Sequence, residues 1–148
     1  MRLESRDGAW VDLTVLRRQR TEHRGRRPEE DWAADWLVVR GEVSLPGSPA
    51  AGSELRWTFR EPCLTPWEGR RLGSWLRAAA EEPLPGTTLR FTEPLLSLVL
   101  DDARADRRLL RVHVTAAPDP HALALDVGVA GLRRAAAAWS ADLDAVAP

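Results

Sequence analysis

Lysine, isoleucine, asparagine and tyrosine are missing altogether from these 148 residues. Apart from isoleucine, a mixed case, these are residues with AT-rich codons, so the gap reads as the base bias of a GC-rich bacterial genome rather than as chemistry. Arginine doing all the basic work is therefore weak support for phosphate or carboxylate recognition. There is one cysteine, Cys63, which excludes an intramolecular disulfide and a thiolate zinc cluster. The three histidines, His23, His113 and His121, form no H-x-x-x-H pair, and zinc needs three or four ligands in fixed geometry. No metal and no cofactor are expected. The serines Ser44, Ser53, Ser74, Ser97 and Ser140 sit in no G-x-S-x-G elbow, so a nucleophilic triad is not offered. No apolar run approaches the ~20 residues that span a bilayer. Arg2, Glu4, Arg6 and Asp7 leave no apolar core for a secretory signal, so the expected compartment is cytoplasmic. The net charge of −1 supplies no global field toward nucleic acid or a membrane surface.

What remains is enough for one domain over residues 1–148, with 44% hydrophobic residues to build its core. Trp10–Leu16 alternates and predicts a strand. Arg17 to Glu30, basic and broken by Gly and Pro, reads as a long loop. Asp35–Leu45 predicts a second strand, and Leu55–Arg60 a third, with Leu55, Trp57 and Phe59 on one face. A helix follows with a clear start: Thr65 suits the N-cap, Pro66 the first helical position, and Glu68 completes a capping box. Leu72, Trp75, Leu76 and Ala79 keep helical spacing to about Glu81, although Gly69 and Gly73 lower the propensity, so tertiary packing must hold this helix. Four strands are read after it, at Leu89–Phe91, Leu95–Leu100, Leu109–Val114 and Leu123–Val127, with a polar turn at Asp101–Arg107. A second helix, from about Ala130 to Val146, carries Leu132, Ala136, Trp139, Leu143 and Val146 as its apolar stripe. The order βββ-α-ββββ-α has no βα alternation. It predicts an α+β fold, mainly antiparallel β-sheet or sandwich of about seven strands with two helices.

Phe91-Thr92-Glu93-Pro94 is the most distinctive segment. Pro94 cannot donate to a β-ladder and belongs at an edge, start or bulge. Phe91, Glu93 and Pro94, with Thr65 and Glu68, are therefore read as a structural motif. Glu93 is expected to be partly buried and to accept backbone N–H groups at the kink, with Glu93→Ala destabilising the fold. Cys63 is expected to be buried ahead of the helix between Pro62 and Leu64. Trp57, Trp75 and Trp139 are expected in the core.

Residues that could bind rather than fold are of two kinds. Arg17, Arg18, Arg20, Arg24, Arg26 and Arg27 form a basic run, neutralised in part by Glu29, Glu30 and Asp31. No aromatic residue is interleaved in it for base stacking, so an acidic protein suits it better than nucleic acid. Trp32 and Trp67 lie beside arginine-rich segments, and aromatics with arginine dominate binding hot spots.

Four segments carry a family resemblance: Trp32-Ala33-Ala34-Asp35-Trp36-Leu37, Cys63-Leu64-Thr65, Leu72 with Trp75-Leu76, and Phe91-Thr92-Glu93-Pro94 with Leu96. In this order they resemble the WapI-type immunity proteins, bacterial antagonists of contact-dependent polymorphic toxins. The chain departs from that pattern at Leu95 and Leu98. The resemblance implies a non-enzymatic module that binds another protein, a toxin domain, and occludes it. The Arg17–Arg27 run is the first choice for the binding face and Trp32 the second, and the acidic turn Asp101–Asp106 is an opposite-sign candidate if the toxin is a basic nuclease. A regulatory or scaffold protein of the same fold with another partner, and a small-ligand binder or hydrolase using a cavity near Glu93, are the alternatives.

Overall fold

Alternating apolar residues decide which side of each strand faces inward. The computed structural model describes residues 1–20, 35–46, 55–115 and 121–147. Strands β1 (Arg2–Glu4), β2 (Trp10–Arg20), β3 (Asp35–Leu45) and β4 (Leu55–Leu64) pair antiparallel, in chain order, as one sheet. Helix α1 (Pro66–Glu81) follows. Strands β5 (Thr88–Arg90), β6 (Leu96–Ala103), β7 (Arg107–Val114) and β8 (His121–Gly128) make a second antiparallel sheet, again in chain order, and α2 (Val129–Ala145) comes after it. The α+β architecture, with antiparallel sheets and two helices, agrees with the order of elements read from the sequence.

Several boundaries differ from that reading, and the polar turn read at Asp101–Arg107 is shorter, because Asp101 to Ala103 belong to β6 and Arg107 to β7. Strand β1 went unread because it is three residues long and carries one apolar side chain, the buried Leu3. Strand β2 does not stop at Leu16. A bulge between Val15 and Arg17 resets the register, and Arg17 to Arg20 then pair with Val38 to Asp35. The beginning of the supposed basic loop is thus sheet. Strand β4 continues past Arg60 through Pro62, which is tolerated because β4 is the edge of its sheet.

Leu13, Val39, Val43, Leu98, Leu100, Leu110, Val112 and Leu125 are buried from the two sheets, and Leu72, Leu76, Leu132 and Trp139 from the helices, within one apolar cluster. Trp139 is fully buried, whereas Trp57 and Trp75 only pack against the cluster from its margin. The helices lie against each other and against strands of the first sheet. Close packing against β3 and α2 explains Gly69 of α1. A Cβ on Gly69 would stand 2.7 Å from Leu37 Cδ1 and 3.0 Å from Leu143 Cδ2. Trp139 Nε1 donates to the Gly69 carbonyl at 2.7 Å, so the largest core side chain is also polar-satisfied. In the first sheet, the Phe59 ring covers Gly41 directly across the ladder, where no Cβ would fit.

The segment between β1 and β2 ties the sheets together. The Arg6 amide donates to the Asp126 carbonyl at 3.1 Å, and the Asp126 amide donates to Ser5 Oγ at 3.0 Å. Arg107 Nε donates to the Asp126 carboxylate at 2.7 Å.

Candidate functional site

The start of α1 is fixed by one carboxylate. The Glu68 amide donates to Thr65 Oγ1 at 3.2 Å, and the Thr65 amide donates to Glu68 Oε2 at 2.9 Å, which closes a capping box. The same Glu68 reaches across the chain. Its Oε1 accepts from the Thr92 amide at 2.6 Å and the Thr92 hydroxyl at 2.8 Å. Glu68 is 3% exposed. Burial alone would push its carboxyl up, but the hydrogen bonds from Thr65 and Thr92 outweigh that, and the net shift is downward. The ionised carboxylate therefore bolts the bend after β5 to the head of the helix.

Glu93 does not have the role expected of it. It is exposed, and among the described residues it makes no hydrogen bond, because the amide at the kink belongs to Thr92 and is taken by Glu68. Phe91 is buried, and Pro94 is exposed at the bend. The other side of the bend is held by Thr115, whose hydroxyl donates to the Pro94 carbonyl at 2.8 Å and whose amide donates to the Leu95 carbonyl at 3.0 Å. Cys63 is 1% exposed, and burial, then the nearby charges of Glu61, Glu68 and Glu93, push its thiol up to about 12. At neutral pH it is a protonated core residue rather than a nucleophile. Among the described residues, no group of three or more His, Cys, Asp or Glu could hold a metal ion. Among the described residues, no helix is long and apolar enough to cross a membrane.

The surface beside this anchor is different in kind. Leu72, Leu76 and Ala79 turn one side of α1 inward, which leaves Trp67, Arg70, Arg71, Ser74 and Arg77 exposed on the other. Trp67 is 59% exposed, and the Arg71 guanidinium lies 4.6 Å from its ring centroid. Among the described residues no carboxylate pairs with Arg70, Arg71 or Arg77, nor with Arg60 and Arg90 of the strands, whereas Arg2 pairs with Glu4 at 3.3 Å, Arg104 with Asp102 at 3.2 Å, and Arg111 with Asp101 at 2.9 Å. Glu42 is shared by Arg40 and Arg56.

Of the binding residues read from the sequence, Arg18 and Trp67 are brought together. With Asp35, Glu68, Arg70 and Thr92 they line a cleft of about 500 Å³ between the end of β2 and the head of α1. Arg18 is not a free charge there, because its guanidinium forks onto the Asp35 carboxylate, Nε to Oδ1 at 3.2 Å and Nη2 to Oδ2, and this hydrogen bond raises its pKa. Arg17 is exposed nearby, 3.5 Å from Gln19 Oε1, and does not line the cleft. Arg20 is the last residue of β2. Arg24, Arg26, Arg27 and Trp32 lie outside the described residues. The acidic turn is also less free than its sequence suggests, since Asp101 and Asp102 are engaged by Arg111 and Arg104.

Sequence reasoning missed Arg70, Arg71 and Arg77. The signal was available: they occupy the helical positions opposite Leu72, Leu76 and Ala79. The Glu68–Thr92 link had no such signal, because it spans 24 positions.

Comparison with known proteins gives one positive finding. A family model, described as the immunity protein WapI-like family, matches residues 2–147. No curated protein and no solved structure matches the chain.

Proposed function

The chain belongs to the WapI-like immunity protein family, and from that premise we propose that it is a non-enzymatic antagonist that binds a polymorphic-toxin domain in the cytoplasm of the bacterium it protects. The match over residues 2–147 is the observation that carries this reading. The surface chemistry is in keeping with it. In the cleft at the head of α1, Arg18 is paired with Asp35 and Glu68 with Thr65 and Thr92, which leaves Arg70 as its one charged side chain without a partner among the described residues, so it offers little to activate a substrate. The exposed Trp67 and the unpaired arginines beside it are the residue types that anchor protein interfaces.

The mechanism is occlusion. A rigid two-sheet body presents the end of the β2–β3 hairpin and the outer side of α1 to the toxin, and the complex blocks substrate access sterically. No covalent step is needed. Electrostatics speeds the encounter and selects the partner. Arg17, Arg18 and Trp67 lie at this end, as does the position where the chain leaves β2 toward Arg24, Arg26, Arg27 and Trp32.

Co-expression tests the proposal. Each polymorphic-toxin C-terminal domain encoded in the source genome is induced in a susceptible host with and without this chain. Growth restored against one toxin, together with a one-to-one complex on gel filtration, is the expected result. If growth is arrested with every toxin whether or not the chain is present, the antagonist reading is wrong, and a regulatory role for the fold takes its place.

A further inference from the structure

We infer that the outer side of α1, carrying Trp67, Arg70, Arg71 and Arg77, is the docking surface for an acidic patch on the partner protein. This rests on the reading of the chain as a protein binder and adds the sign and position of the contact.

The first argument is electrostatic. The whole chain has a net charge of −1, yet this side of α1 shows three arginines from Arg70 to Arg77, a span of about 10 Å, without an acid among them. Some carboxylates elsewhere face arginines of their own, Glu42 with Arg40 and Arg56, Asp101 with Arg111, Asp102 with Arg104, and Asp126 with Arg107, whereas among the described residues the exposed Glu61, Glu81, Glu82, Glu93, Asp106 and Asp144 face none, and Asp144 lines the cleft toward α2 with Arg70 and Arg77. Between Arg70 and Arg77 the outer side of α1 is therefore locally positive. A face of this sign does not imitate a nucleic acid, so the contact is not that of a decoy laid in a basic substrate groove. It calls for carboxylates on the partner.

The second argument is relief. Arg70 and Ser74 form a ridge between two clefts, one of about 320 Å³ toward α2 and one of about 440 Å³ toward Trp75 and Leu89. Trp67 stands at the head of the ridge and supplies the one large, exposed apolar side chain on α1. Arg133 and Arg134 of α2 are exposed as well, but no large exposed hydrophobic stands with them on that helix. Arg2 and Arg56 also stack on Trp10, 4.1 and 5.4 Å from its ring centroid, but Trp10 is half-buried and both arginines are paired with acids, Glu4 and Glu42, so among the described residues unpaired arginines meet an exposed aromatic on α1. That combination also favours protein over single-stranded nucleic acid. Binding of bases relies on successive stacking platforms, whereas one face of Trp67 is covered by Arg71 and Trp75 is half-buried.

Surface plasmon resonance with three proteins decides it: the full chain, its Arg70→Glu/Arg71→Glu/Arg77→Glu variant, and an Arg60→Glu/Arg133→Glu/Arg134→Glu variant with the same charge change elsewhere. All are first checked for unchanged melting. The immobilised probes are inactivated toxin domains of the source genome, a poly-glutamate 20-mer and a single-stranded RNA 20-mer, each at about 50 mM and about 300 mM salt. The expected result is one toxin domain bound by the full chain, weakened at least about tenfold by the α1 variant, spared by the control variant, and weakened by salt. A toxin domain bound equally by both variants would overturn the inference while leaving the antagonist reading intact. If no toxin domain is bound, the antagonist reading fails, and the poly-glutamate arm still judges the inference. Retention lost only in the α1 variant supports it, and no retention sinks it. RNA held more tightly than poly-glutamate through the same arginines would also overturn it.

Discussion

Glu68 and Thr92 stand 24 positions apart, and the Glu68 carboxylate accepts both the Thr92 amide, at 2.6 Å, and the Thr92 hydroxyl, at 2.8 Å. With the two bonds from Thr65, one buried carboxylate satisfies donors from the helix cap and from the β5–β6 bend. Deleting it leaves those donors unpaired in a site that water reaches poorly. Glu68→Ala should destabilise the fold by about 3 kcal/mol. Glu68→Gln, which keeps the shape but loses the charge, should fall between. Urea melts of the three proteins check this, and an Ala variant as stable as the parent refutes it.

The same carboxylate makes a pH prediction. Its folded pKa lies below its ordinary value of 4.5, so its stabilisation is fully present above that value and is lost as pH falls through the folded value. The stability gap between the parent and Glu68→Gln should thus be widest at neutral pH and close progressively in acid. Denaturation midpoints measured from neutral pH down to about 3 would show the convergence. A constant gap would mean that the charge itself contributes nothing.

Glu93, one residue beyond Thr92, should behave differently. It is exposed, so Glu93→Ala is expected to change stability by less than about 0.5 kcal/mol. A thermal melt of that variant beside Glu68→Ala separates the two carboxylates directly. A large loss at Glu93 would restore the role that the sequence alone assigned to it.

This pair shows what could be read from the chain and what could not. The capping box was legible because Thr65, Pro66 and Glu68 are neighbours with fixed helical geometry. Period-two and period-3.6 patterns likewise exposed β3, β6 and both helices. Glu93 was singled out because it precedes Pro94, but which carboxylate reaches the bend depends on how α1 docks, and no local pattern encodes that. Arg17 to Arg20 looked like loop because charge masked a strand whose pairing is set by β3 across a bulge. The outer side of α1 was encoded in its periodicity, and attention to the apolar stripe hid its complement.

The glycines of α1 offer a paired test of helix packing. Gly→Ala normally favours a helix by about 1 kcal/mol. At Gly69 the new methyl would meet Leu37 at 2.7 Å and Leu143 at 3.0 Å, so the clash should win and Gly69→Ala should lose about 1–3 kcal/mol. At Gly73 the nearest atoms are Trp139 Cδ1 at 3.4 Å and Ser140 Oγ at 3.6 Å. That is ordinary contact, so the helix gain should prevail, and Gly73→Ala should melt at the parent's temperature or a few degrees above it. Equal losses at both positions would mean that the α1–α2 spacing is not what limits them.

Arg108 is buried at 5% exposure on β7, and its guanidinium faces backbone carbonyls rather than an acid. Nε donates to the Ala79 carbonyl at 2.7 Å and Nη2 to that of Ala80 at 3.1 Å, the last turn of α1. Nη1 donates to the Arg107 carbonyl at 2.9 Å and to that of Arg104. A helix C-terminus leaves carbonyls without intrahelical donors, and it carries partial negative charge, so one fixed cation answers both needs while joining α1 to the β6–β7 turn. Lysine has one nitrogen and cannot reproduce the fork. Arg108→Met should therefore cost about 3 kcal/mol, with Arg108→Lys recovering only part of it. Hydrogen exchange locates the effect: the amides of the last turn of α1 and of residues 104–107 should lose protection together in Arg108→Met, and protection lost uniformly over the molecule would show that Arg108 supports the core rather than this joint.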